Sequence, residues 1–155
     1  MTDRWPTWQA WEDWAAATAP EGVERIEPPT THRGRKARRT GRAPADLAGE
    51  VNGVQVKAEC KQHNSGPTCP RFPLSKLKEH QGQALELCHV GGGVAGVLLC
   101  FDDVPWWVPW GSVRHLWALV GVSRVGVKTL SVEWLQVHAV PVDVERGWWE
   151  AAKEK

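Results

Sequence analysis

Asp46–Lys61 reads DLAGEVNGVQVKAECK. Asn52-Gly53, set between Val51 and Val54, is a strong short-range signal for a two-residue hairpin loop, the kind whose backbone twist matches that of paired strands. Such a loop pairs Val51 with Val54, and counting outward pairs Asp46 with Glu59. Directly opposed side chains root about 5 Å apart, where two negative charges at an effective dielectric of ~20 repel by about 3 kcal/mol. A divalent cation between them reverses the sign. On the second strand Val54, Val56, Ala58 and Cys60 alternate with Gln55, Lys57, Glu59 and Lys61, so Glu59 and Lys61 project from one face. Asp46, Glu59 and Lys61 therefore converge on a candidate metal site. Taken by itself, the same pattern also suits an exposed hairpin face carrying surface charges.

Upstream of the hairpin the charge is uneven. Net charge is only +1. Residues 1–31 carry two basic and six acidic side chains, whereas residues 32–42 carry Arg33, Arg35, Lys36, Arg38, Arg39 and Arg42 and no acid. A segment this polar and self-repelling makes no core; it is either a solvated loop or an arm for nucleic-acid phosphate. Its place just before the carboxylate hairpin favours the arm, over 30–43. Farther upstream Trp8, Trp11, Ala15 and Thr18 recur at helical spacing, with Pro6 near the start and Pro20-Glu21-Gly22 after the end, which predicts a helix over about 7–18. Glu12 flanks that apolar stripe. Val23–Glu27 suits a strand, ended by Pro28-Pro29.

Downstream, Leu74, Leu77, Gln81, Ala84, Leu85 and Cys88 share one face of a helix predicted over about 74–90, and Gln81 interrupts the stripe. A buried amide needs partners, either the backbone or a site. Gly91-Gly92-Gly93 separates this helix from the apolar strand Val94–Phe101, and Val104–Trp110 reads as another strand that Pro105 and Pro109 push to a sheet edge. Short helices near 112–119 and 131–136, a strand near 137–142 and a last helix from about 144 complete the expectation. No G-x-G-x-x-G or Walker pattern is present, so no nucleotide cofactor is expected.

The 155 residues suit one domain able to bury a core. No apolar run reaches the ~20 residues that span a bilayer, and no leader pattern opens the chain, so a cytoplasmic protein is expected. Cys60, Cys69, Cys88 and Cys100 have no C-x-x-C spacing and read as reduced thiols; a zinc site would have to draw on His63, Cys69, Cys88 or His89. The chain has eleven tryptophans and no tyrosine. Packing in a core or dimer interface competes with stacking platforms for unpaired bases, and Trp106, Trp107, Trp110, Trp148 and Trp149 are too many for one core.

Asp46 followed thirteen positions later by Glu59-Cys60-Lys61 resembles the catalytic pattern of the PD-(D/E)XK nucleases. With Phe72-Pro73-Leu74 and Glu79-His80-Gln81, the span of about 24–101 resembles RecU-type and archaeal Hjc-like Holliday-junction resolvases, including phage forms. The resemblance implies an α/β, restriction-endonuclease-like mixed sheet flanked by helices, with the basic segment as a short arm or stalk. It implies a homodimer acting on four-way DNA junctions in recombination and repair, with Mg2+, or Mn2+ in its place, held by Asp46, Glu59 and the Cys60 carbonyl. Lys61, Gln81 and Glu12 would complete the catalytic set, with 5′-phosphate and 3′-hydroxyl products. The chain departs from the family's pattern in its shorter, more basic arm and in Ala45 beside the aspartate. Two rivals stay open: another PD-(D/E)XK nuclease, and a junction-binding architectural protein without activity.

Overall fold

Asn52 and Gly53 take φ of 52° and 80°, the two positive values that a type I′ turn requires. Val51 accordingly pairs with Val54 and Leu47 with Ala58, which puts Asp46, one residue before the strand, opposite Glu59. The computed structural model describes residues 4–26, 30–33, 36–39, 45–120 and 128–153. Its elements are α1 (Trp8–Ala17), β1 (Val23–Arg25), β2 (Thr30–Arg33), β3 (Lys36–Arg39), β4 (Leu47–Val51), β5 (Val54–His63), β6 (Phe72–Pro73) and a 3-10 turn at Leu74–Lys76. There follow α2 (Glu79–Val90), β7 (Val94–Phe101), β8 (Val104–Pro109), α3 (Trp110–Ala118), β9 (Thr129–Leu130), α4 (Val132–His138), β10 (Val140–Pro141) and α5 (Trp148–Lys153).

Six strands form a mixed sheet in the order β1-β4-β5-β7-β8-β10. Only β5 and β7 run parallel, because α2 carries the chain back between them; the other pairs are antiparallel. Helices cover both faces, so β7 is buried at every residue from Ala95 to Phe101, as its continuous apolar run demands. Ala95, Val97, Leu99 and Phe101 face a core shared with Leu85, Cys88, Trp106, Trp110, Val113 and Leu135. Leu98 and Cys100 face a second core with Trp11, Ala15, Val56, Ala58, Trp107 and Trp148.

This division settles where the tryptophans go: neighbours such as Trp106 and Trp107 point to opposite faces, and two cores hold what one could not. Several indole N–H groups find acceptors, Trp11 on the Leu98 carbonyl (3.3 Å), Trp148 on that of Ala15 (2.8 Å) and Trp117 on that of Leu77 (3.1 Å). The Trp106 N–H is buried without one. The exception to burial is Trp8, which the helical stripe predicted to be core and which is 63% exposed.

Other differences have local causes. The helix predicted from 74 begins at Glu79, because Leu77 and Lys78 are extended (ψ 108° and 160°) and Leu74–Lys76 is a single 3-10 turn. The strand at Val104–Pro109 is not an edge: β10 pairs with it at Trp106 and Trp107, and Pro105, which lacks an N–H, offers its carbonyl to Val142 N (3.1 Å). The last helix starts at Trp148, after Gly147 at φ 86°. An unanticipated second two-residue turn, Asp102-Asp103 with φ of 49° and 65°, joins β7 to β8. Asp103 accepts from Arg4 N (2.9 Å) and Trp5 N (3.3 Å), and Asp102 from Ser65 N (2.6 Å).

Gly96 lies where a Cβ would stand 2.5 Å from the Trp107 ring and 2.6 Å from the Val108 carbonyl. Gly96→Ala should therefore destabilise the protein by about 1–3 kcal/mol, the usual range for overpacking, read as a lowered thermal midpoint by circular dichroism.

Candidate active site

The site grows from the paired strands. Asp46 Oδ2 accepts the Cys60 main-chain N–H at 2.8 Å, so the carboxylate is pinned to the strand that carries Glu59. Ile26 N donates to the Asp46 carbonyl at 2.9 Å, which ties the same residue to the end of β1. Glu59 is 1% exposed, on the face of β5 opposite Val56, Ala58 and Cys60, and that face is covered by α2.

Gln81 explains the break in the stripe of α2. Its Nε2 donates to Glu59 Oε1 at 2.7 Å, and its Oε1 accepts from Lys61 Nζ at 3.1 Å and from Lys78 N at 2.9 Å. The amide orientation is internally consistent, since flipping it would set donors against Lys61 and Lys78. The Lys78 bond also satisfies the N–H at the helix cap, so one side chain starts α2 and fastens it to Glu59 and Lys61. Lys61 Nζ stands 3.9 Å from Glu59 Oε1.

The other carboxylate oxygen, Glu59 Oε2, is buried and has no hydrogen-bond partner. Asp46 beside it offers no proton of its own when ionised, so the two acids can be joined only by a shared proton or a cation. Burial first, then the Asp46 charge, pushes the Glu59 carboxyl up to about 9, against a smaller opposing pull from Lys61. Glu12, half-buried on α1, is also raised, by burial and then by Asp46. The Cys60 thiol is raised well above its ordinary value by burial and by Asp46, Glu59 and Glu12.

Asp46, Glu59, Lys61 and Gln81 are thus brought together. Glu12 sits on the helix that packs against the Cys60 face and reaches the group electrostatically through Asp46. Among the described residues no three His, Cys, Asp or Glu side chains gather closely enough to hold a metal between them. His63 Nε2 instead lies 3.1 Å from the Cys69 carbonyl, and Cys88 Sγ turns to the carbonyls of Gln55 and Val94. The two carboxylates of Asp46 and Glu59 are hard oxygen ligands. They suit an ion that keeps several waters, as magnesium does, better than a four-ligand zinc site.

Arg25 was not foreseen. It bonds Asp13 Oδ1 at 2.6 Å, its Nε is buried without a partner, and its charge offsets the rise at Glu12. Nothing local marks it, because its position depends on the non-local pairing of Arg25 with Leu47. Of the basic segment, Arg33, Lys36, Arg38 and Arg39 fall on an antiparallel ribbon pairing Arg33 with Lys36 and Thr31 with Arg38. Arg35 and Arg42 lie outside the described residues.

Comparison with protein families matches residues 20–148 to RecU, recombination protein U. The chain belongs to the RecU family. RecU membership implies Holliday-junction resolution in recombination and binding to branched DNA. The matched span contains Asp46, Glu59, Lys61, Gln81 and the ribbon; Glu12 precedes it. A comparison with curated proteins gives no match. No helix among the described residues is long and apolar enough to cross a membrane.

The raised Glu59 carboxyl has a consequence for stability. Its unfolded value is near 4.5 and its folded value about 9, so between these limits the folded state holds the proton that the unfolded state has lost. Stability is full below about pH 4.5 and falls as pH rises toward 9, with a slope approaching ~1.4 kcal/mol per pH unit. In metal-free buffer Glu59→Gln should flatten this dependence, matching wild type near pH 4 and exceeding it at pH 8. Denaturant unfolding at the two pH values checks this, and equal slopes would show that Glu59 ionises freely.

Proposed function

We propose that this RecU-family chain is a magnesium-dependent endodeoxyribonuclease with a PD-(D/E)XK-type fold, which resolves four-way DNA junctions as a homodimer by paired nicks leaving 5′-phosphate and 3′-hydroxyl ends. The observation that carries this reading is the buried Glu59 carboxylate, with one oxygen unpartnered, facing Asp46. A structural carboxylate would be expected to have its oxygens satisfied, whereas a ligand is held ready at a cost to stability.

Asp46, Glu59 and the Cys60 carbonyl would hold the ion, with manganese able to replace magnesium. When bound, a divalent cation there lowers the pKa of water and offsets charge on the attacking and leaving oxygens. The chain's own groups supply the rest. Lys61, oriented by Gln81, places a positive charge where the scissile phosphate gathers negative charge. Gln81 bonds both Glu59 and Lys61 and so fixes the lysine 3.9 Å from the glutamate. Glu12, coupled to Asp46, adds a third acid at the rim. The basic ribbon supplies phosphate contacts, which recognise charge and shape rather than sequence. Two-fold symmetry suits the substrate, since a four-way junction presents two like-oriented strands to two identical sites.

The deciding experiment is cleavage of a labelled four-way junction beside matched linear duplex, with and without magnesium. Wild type should nick the junction symmetrically. Asp46→Asn and Glu59→Gln should each lose ~10³-fold or more, as expected when several kcal/mol of metal stabilisation is removed, while still binding the junction in calcium. Duplex cutting would point to another nuclease, and binding without cutting to an architectural protein. Magnesium should also raise the unfolding midpoint of wild type at pH 8 and leave that of Asp46→Asn unmoved. Neutralising Arg35, Lys36, Arg38 and Arg39 together should weaken binding and reduce its log-log salt slope by up to about 3.6.

A further inference from the structure

Ten of the eleven tryptophans are buried or half-buried, and Trp8 alone is exposed, at 63%. Its position is constrained on both sides. Three residues before it, the Trp5 carbonyl accepts from Gln62 Nε2 at 2.7 Å, next in the chain to Lys61. One helical turn after it, Glu12 lies on the same side of α1 and is coupled electrostatically to Asp46 and Lys61. Helix α1 is anchored beneath by the Trp11 indole on the Leu98 carbonyl and by Ala15 in the core. Trp8 thus stands one turn from Glu12 on a helix fixed to β5 and β7, with its ring turned to solvent.

We infer that Trp8 is a stacking platform for a nucleobase at the branch point of the junction, beside the strand to be cut. This rests on the nuclease reading above and adds to it the contact that selects branched over continuous DNA. A branch exposes base faces that a duplex keeps stacked, and an indole is the side chain best suited to cover one. Arg4, exposed nearby and 5.7 Å over the Trp5 ring, brings a positive charge to the same end of α1. Contact with phosphate and a base face together fits DNA better than an apolar protein surface.

The test compares junction and linear-duplex binding in calcium, and cleavage in magnesium, for wild type, Trp8→Ala, Trp8→Phe and Trp8→Leu. The side chain is exposed, so all variants should fold with unchanged unfolding midpoints. Trp8→Ala should lose about 5- to 150-fold in junction affinity, the fold-change equivalent of one lost base stack, with duplex affinity unmoved. Trp8→Phe should keep most of the affinity, and Trp8→Leu should resemble Ala. Junction affinity unchanged in Trp8→Ala, or full retention in Trp8→Leu, would overturn the stacking role, as would an altered sedimentation coefficient, which would make Trp8 a subunit contact. Failure of wild type itself to bind or cut junctions would instead overturn the nuclease reading.

Discussion

Everything at the centre of this protein depends on register. A type I′ turn at Asn52-Gly53 leaves the two strands no freedom to slip, and a slip of one residue would exchange the two faces of β5. Glu59 and Lys61 would then enter the core of Val56 and Ala58, and those residues would meet Gln81. The buried acid is tolerable only because its face is met by α2, whose glutamine binds it, and because Asp46 is tied to the Cys60 amide. A local turn thus determines which side chains are paired with helices more than twenty residues away.

The arrangement around Glu59 is an uncomfortable one in energetic terms. Its carboxyl is buried beside Asp46 and holds its proton up to about pH 9, and a lysine 3.9 Å away offsets that only in part. Gln81 is central to the compromise: it satisfies one oxygen of Glu59, orients Lys61 and closes the first turn of α2, so the fold and the site share a single amide.

The hairpin, the apolar strand Val94–Phe101 and the first helix were legible because each is a short-range pattern with a strong period or turn signal. The convergence of Asp46, Glu59 and Lys61 was legible for the same reason. Gln81 could be marked as anomalous from its stripe, but its three partners could not be read there, nor could the delayed start of α2 that its cap bond accompanies. What escaped depended on non-local pairing. Arg25 is placed only once β1 lies beside β4; β10 protects β8, although two residues give no period; and the tryptophans divide between two cores only once both sheet faces are covered. Trp8 fits the helical stripe and is nevertheless outside, while Trp5, before the helix, takes the place against Trp11 in the core.

The Asp102-Asp103 turn has a role out of proportion to its length. One acid holds the amides of Arg4 and Trp5, the other that of Ser65, so two segments far apart in the chain are moored to one bend. The entry to α1 and the loop leaving β5 are then a single mechanical unit. Substitution at this bend would shift both segments while leaving Asp46, Glu59 and Lys61 themselves intact, and a screen of those three alone would miss it.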